Sequence, residues 1–128
     1  MFGVILASLL VLVPPTVDTT ELLDAMYTVE SGRGKNLVGD GGKAIGPYQI
    51  WSEHWQDAVE HDPSIGGEYK DCMNKAYAEK IIRAYWARYA PKGATVEQLA
   101  RIHNGGPRGH KRSATVKYWN KIVKAIRG

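Results

Sequence analysis

Residues 29–51 read Val29-Glu30-Ser31-Gly32-Arg33-Gly34-Lys35-Asn36-Leu37-Val38-Gly39-Asp40-Gly41-Gly42-Lys43-Ala44-Ile45-Gly46-Pro47-Tyr48-Gln49-Ile50-Trp51. Its second residue is an acid, Glu30, at the end of an apolar-faced helical pattern. A second acid, Asp40, follows among glycines 39, 41 and 42. Leu37 to Gly46 has the pattern of a short hairpin with Asp-Gly in its turn. Two carboxylates in contrasting surroundings suit glycoside hydrolysis, which needs one acid held protonated and one held ionised. The competing reading of Asp40 is structural, because Asp before Gly commonly bonds its own backbone in a turn.

The helix leading into this stretch is legible from its ends. Asp18-Thr19-Thr20-Glu21 supplies a cap and an acid in the first turn, where the helix dipole favours it. Leu22, Met26 and Val29 recur at helical spacing, Leu23 widens the stripe, and Gly32 and Gly34 end it. Glu30 lies at the border of the buried face in the last turn. Partial burial and the negative end of the dipole both favour its neutral form there, which is the form a proton donor needs.

The rest of the chain divides as follows. Residues 2–13 are almost purely apolar and stop at Pro14-Pro15. They are too short to span a bilayer comfortably. They suit a signal peptide or anchor, with a packed N-terminal helix as the alternative. Residues 18–128 are expected to form one catalytic domain. Ile50, Trp51 and Trp55 supply apolar contacts. A long helix is expected from about Glu68 to Tyr89, with Met73, Tyr77, Ile81, Ala84 and Tyr85 as its stripe. Thr95-Val-Glu-Gln98 is a capping box. The short helix it opens is expected to end in a loop, His103 to Gly109. The last helix, from about Ser113, places Val116, Trp119, Val123 and Ile126 on one face and Lys117, Lys121 and Lys124 on the other.

Composition sets further bounds. Cys72 is the single cysteine, so no internal disulfide can form, and its apolar neighbours mark it as a small core hydrophobe. No Cys/His spacing suggests zinc. Seven Tyr and four Trp against one Phe suit a wet groove, or a small core. Residues 101–128 carry eight Lys or Arg and no acid, whereas residues 1–100 carry nine Lys or Arg and thirteen acids. The basic end points to an anionic partner, unless it is only a solvated helix face.

Two segments together resemble the invertebrate-type lysozymes, the destabilase family. Glu30-Ser-Gly, Asp40-x-Gly, Gly-x-Tyr-Gln-Ile50 and His54-Trp-x-Asp57 look like the family's front half. Ala100-Arg-Ile-His-Asn-Gly-Gly-Pro-Arg-Gly109 and Thr115-x-x-Tyr-Trp-Asn-Lys121 look like its back half. The resemblance implies an α+β, mostly α, lysozyme-like fold of about five helices around a small β-hairpin. It also implies hydrolysis of the β-1,4 bond between N-acetylmuramic acid and N-acetylglucosamine. The family's acid matches Glu30 and its second carboxylate Asp40, with Asp57 as a substitute. Tyr48, Gln49, His103, Asn104, Gly105 and Tyr118 are the expected groove residues.

The departures from the family are coherent. Arg33, Ala58, Val96 and His110 stand where the family carries cysteine, as expected of a disulfide-free branch. Some members resemble isopeptidases that use a serine near the hairpin. Gly42-Lys-Ala-Ile-Gly46 has none, so His103 has no nucleophile to activate.

The expected partner is bacterial peptidoglycan, with anionic wall polymers held by the basic C-terminal helix. No specific nucleic acid, metal or cofactor is expected. The chain is expected to be a secreted or extracytoplasmic monomer. A lytic transglycosylase, needing one acid, and a non-catalytic wall-binding module are the alternatives.

Overall fold

The computed structural model describes residues 18–128. The expected signal or anchor at 1–17 lies outside them. Five α-helices surround one small sheet among the described residues.

Helix α1, Thr19–Ser31, opens where expected: Asp18 is its N-cap and accepts from the Thr20 N–H at 2.9 Å. Such a cap stabilises a helix by about 1 kcal/mol. Gly32 closes it in the left-handed region. Leu22, Leu23, Ala25 and Met26 are buried and hold α1 against the core.

The hairpin forms β1, Val38–Gly39, and β2, Ala44–Ile45, with a 3-10 turn over Asp40–Gly42 between them. Val38 pairs with Ile45 and Gly39 with Ala44. A third strand, β3, Ile50–Trp51, pairs antiparallel with β2. A two-residue strand has no readable alternation, so the sequence showed only a hairpin. Gly46 makes the β2–β3 corner possible. Its φ is +84°, and a Cβ there would stand 2.0 Å from the Cys72 carbonyl oxygen. Only a residue without a side chain fits both conditions.

Helix α2, Ser52–His61, follows β3 directly and buries Ala58. Helix α3, Lys75–Tyr89, is the central element and buries Ala78, Ile81, Ile82, Ala84, Tyr85 and Trp86. It is shorter than the expected span from Glu68. Asn74 is extended and accepts from the Tyr77 N–H at 2.9 Å, so it caps a new helix instead of continuing one. Residues 69–73 form a 3-10 segment that leaves Met73 43% exposed, outside the stripe assigned to it.

Helix α4, Val96–Gly105, carries the capping box as read, with Thr95 and Gln98 bonding each other's backbones. It runs two residues past His103, so His103 and Asn104 are helical and not part of a loop.

Helix α5, Val116–Arg127, buries Tyr118 and Ile122. The expected stripe was rotated by about one residue. Val116 and Ile126 are exposed, because the helix aims Tyr118 inward to Glu30 and Ile122 into the core. Trp119 and Ala125 pack on the core from its flank.

Cys72 is fully buried in this core, as its neighbours suggested, and burial pushes its thiol up to about 12. Such a thiol packs as a hydrophobe and is not a reactive group. Most of the aromatic bias serves the core too. Buried or half-buried rings send their polar tips to fixed partners: Trp86 to the Leu99 carbonyl at 2.8 Å, Tyr69 to that of Ile50 at 2.6 Å, and Trp55 to the Tyr77 hydroxyl at 2.9 Å.

Candidate active site

The last turn of α1 brings Glu30 to the edge of a cleft of about 530 Å³, and the β1–β2 turn brings Asp40 to the same cleft. Glu30 is the sheltered member, its side chain 16% exposed. Asp40 is exposed. The contrast expected from the sequence is therefore present as a contrast of burial within one cleft. Gln49, Trp51, Glu53, His54, Tyr85, His103, Asn104 and Gly106 complete the lining.

One oxygen of Glu30 is fixed by two donors. The Tyr118 hydroxyl donates to Oε2 at 2.9 Å. His103 Nε2 lies 3.1 Å from the same oxygen and 3.1 Å from the Tyr48 carbonyl. Both of those groups accept, so Nε2 carries a proton and donates. Burial and the neighbouring Glu30 hold the Tyr118 phenol well above its ordinary value, so Tyr118 remains a donor. Oε2 thus acts as an acceptor, and Oε1 has no bonded partner among the described residues. His103, expected as a groove residue, lines the cleft and contacts Glu30 directly.

Asp40 adopts φ +50°, followed by Gly41 and Gly42 at +66° and +94°. Asp is among the few non-glycine residues that enter this region readily. The Trp51 indole N–H donates to its Oδ2 at 3.2 Å. Asp40 is therefore both a turn former and a cleft carboxylate, two roles that the sequence alone set against each other. Asp57 is not a substitute. It sits 3.8 Å from the Arg88 guanidinium and does not line the cleft.

The remaining expected groove residues divide. Gln49 and Asn104 line the cleft, Gln49 at φ +52° with its amide donating to the Gly46 carbonyl at 3.0 Å. Tyr48 does not. Its side chain is fully buried and its hydroxyl donates to Glu79 at 2.6 Å, so it meets the site only through its backbone carbonyl. Tyr118 acts from behind Glu30 and is not a groove wall. Gly105 is absent from the cleft lining and lines a second hollow. A Cβ on Gly105 would meet the Thr115 methyl at 2.4 Å.

Sequence reasoning missed Glu53, His54 and Tyr85 as lining residues and assigned Trp51 only apolar contacts. The available signal was positional. Trp51 and His54 flank the start of α2, immediately after the Gly-Pro-Tyr-Gln-Ile segment. His54 stacks on Tyr85 with ring centroids 3.7 Å apart and meets the His103 ring edge-on at 5.2 Å. Burial, with His103 adding to it, holds the His54 imidazole well below its usual range. His54 Nε2 and His103 Nδ1 are buried without partners among the described residues.

The Destabilase sequence pattern matches residues 19–125. A lysozyme of Magallana gigas is 37% identical over 83 residues, which are 62% of this chain and 58% of that protein. Lysozyme 1 of Crassostrea virginica is 38% identical over 83 residues, 62% of this chain and 43% of that protein. The chain thus spans less than two thirds of the length of these two relatives. The crystal structure of Tapes japonica lysozyme superposes with a TM-score of 0.71 at 32% identity, covering 87% of this chain and 93% of that one. The fold is that of a lysozyme, and a chain with a single cysteine carries it without disulfides. The chain belongs to the Destabilase family, that of the invertebrate-type lysozymes.

Proposed function

We propose that this protein is a muramidase that hydrolyses the β-1,4 bond between N-acetylmuramic acid and N-acetylglucosamine in bacterial peptidoglycan. The supporting observation is the fixed Oε2 of Glu30 in a cleft shared with the exposed Asp40. With Tyr118 and His103 bound to Oε2, the acid proton belongs on Oε1. From there it passes to the glycosidic oxygen as the bond to the anomeric carbon breaks. Asp40 bears the charge opposite the oxocarbenium-like state, or attacks the anomeric carbon, and water completes the hydrolysis. Trp51 offers a ring face for a sugar, and its indole N–H orients Asp40.

Delivery belongs to the same proposal. The protein acts outside the cytoplasm as a monomer. Lys117, Lys121, Lys124 and Arg127 surround one shallow hollow on α5, and this cationic helix holds the enzyme on anionic wall polymers.

Product analysis in H₂¹⁸O tests the reaction. The proposal expects reducing muramic ends, each carrying one solvent oxygen. Anhydro-muramic ends would assign a transglycosylase instead.

A further inference from the structure

A second hollow, of about 470 Å³, is lined by Gly105, Pro107, Arg108, Lys111 and Arg112. Gly105 lines this hollow and the next residue, Gly106, lines the catalytic cleft. The two hollows are therefore lined by consecutive residues of the chain.

The loop that carries the cations is held rigidly. Thr115 Oγ1 donates to the Gly109 carbonyl at 2.6 Å and accepts from Arg101 Nε at 2.8 Å. Arg101 also donates to the Arg112 carbonyl at 2.9 Å. Gly109 lies so close to α4 that a Cβ there would stand 2.0 Å from the Arg101 carbonyl oxygen. Arg101 is neutralised by Glu97 at 2.8 Å.

Arg108, Lys111 and Arg112 differ. All three are exposed, and none is in an ion pair among the described residues. The nearest neutral partner is the Gly105 carbonyl, which accepts from Arg112 at 3.3 Å. Three uncompensated cations on a fixed loop form a preorganised anion site.

We propose that this hollow is a carboxylate subsite that receives the peptide stem of the glycan strand bound in the cleft. The inference rests on the muramidase reading. Muramic acid carries that stem, the stem carries free carboxylates, and Gly105 of the hollow sits in sequence between Asn104 and Gly106 of the cleft. Two arginines suit paired contacts with a carboxylate.

The test compares the wild type with Arg108→Gln/Lys111→Gln/Arg112→Gln on intact peptidoglycan and on glycan strands stripped of peptide by an amidase. On intact substrate KM rises about tenfold with kcat unchanged, as expected for loss of roughly one charge-assisted contact. On stripped strands the two proteins behave alike. Equal loss on both substrates, or no loss on either, overturns the proposal. A loss that survives stripping but disappears when wall phosphates are removed with hydrofluoric acid assigns the hollow to phosphate and overturns it too. Arg108→Lys/Arg112→Lys keeps the charge and retains most of the effect, which separates binding from folding. Titrating a free anionic stem tetrapeptide into Glu30→Gln, with and without the triple substitution, reads the hollow without catalysis. Chemical shift changes at residues 105–112 that vanish in the triple variant support the site, and unchanged binding rejects it. If the wild type cleaves no glycan at all, the muramidase reading fails while this binding result still stands.

Discussion

The Tyr118 hydroxyl reaches Glu30 Oε2 across 2.9 Å, joining α5 to α1 over 88 positions of sequence. The contact, with that of His103, occupies Oε2 and leaves Oε1 as the unbonded oxygen of Glu30 among the described residues. Tyr118→Phe removes the donor and keeps the ring. One buried hydrogen bond contributes about 1 kcal/mol to stability, so urea unfolding should show a loss of that order. The rate on peptidoglycan should fall at least about tenfold, a part of the roughly 10²–10⁴-fold that general acid catalysis contributes. A variant with unaltered kcat would show that the contact is only structural.

Trp51 makes the corresponding contact at the other acid. Trp51→Phe retains a ring face but loses the indole N–H that holds Asp40. We expect kcat to fall several-fold with KM nearly unchanged. Trp51→Ala removes the ring as well, and KM should then rise, by the equivalent of about 0.5–1.5 kcal/mol for a lost aromatic contact. Equal KM in the two variants would deny Trp51 a role as a sugar platform.

His54 gives stability a pH dependence of known sign. Its folded value lies well below the ordinary imidazole value because burial, and then His103, oppose the charge. Above about pH 6.5 both folded and unfolded forms are neutral and His54 has no effect. Below that pH the unfolded chain takes up a proton that the folded chain refuses. Stability therefore falls as pH falls, by up to about 1.4 kcal/mol per pH unit. His54→Phe keeps a ring against Tyr85 and removes the titration. Its melting temperature should vary less between pH 7 and pH 5 than that of the wild type. Parallel curves would contradict this.

Gly46→Ala tests the corner that brings β3 to the cleft. A Cβ there meets the Cys72 carbonyl at 2.0 Å on a backbone at φ +84°. Strained backbone of this kind costs about 1–3 kcal/mol before the clash is counted. Thermal melting should report a loss of at least that size, and a neutral substitution would mean that the corner is not required.

The sequence revealed those parts of the fold whose signals are local. Asp18 and the Thr95 capping box opened their helices where read, and Gly32 closed α1. Glu30 and Asp40, picked out by the sequence as a pair, line one cleft. The misreadings came from long-range demands. α5 is rotated so that Tyr118 meets Glu30, and no count of apolar residues within the helix encodes that. Tyr48 was assigned to the groove because its neighbour Gln49 belongs there, but at φ +52° Gln49 turns the chain and sends Tyr48 into the core. Asn74 is compatible with either a helix or a cap, and tertiary packing selected the cap. Glu53 and His54 became cleft residues only once β3 paired with β2 and fixed the start of α2.

The central claim is that the proton on Glu30 cleaves the glycan. The most direct measurement is the initial rate of peptidoglycan hydrolysis by Glu30→Gln, with circular dichroism confirming the fold. Gln retains a carbonyl oxygen for Tyr118 and His103 but cannot donate a proton of comparable acidity. The account predicts a loss of at least about a hundredfold with native folding. A rate within a few-fold of wild type would contradict it.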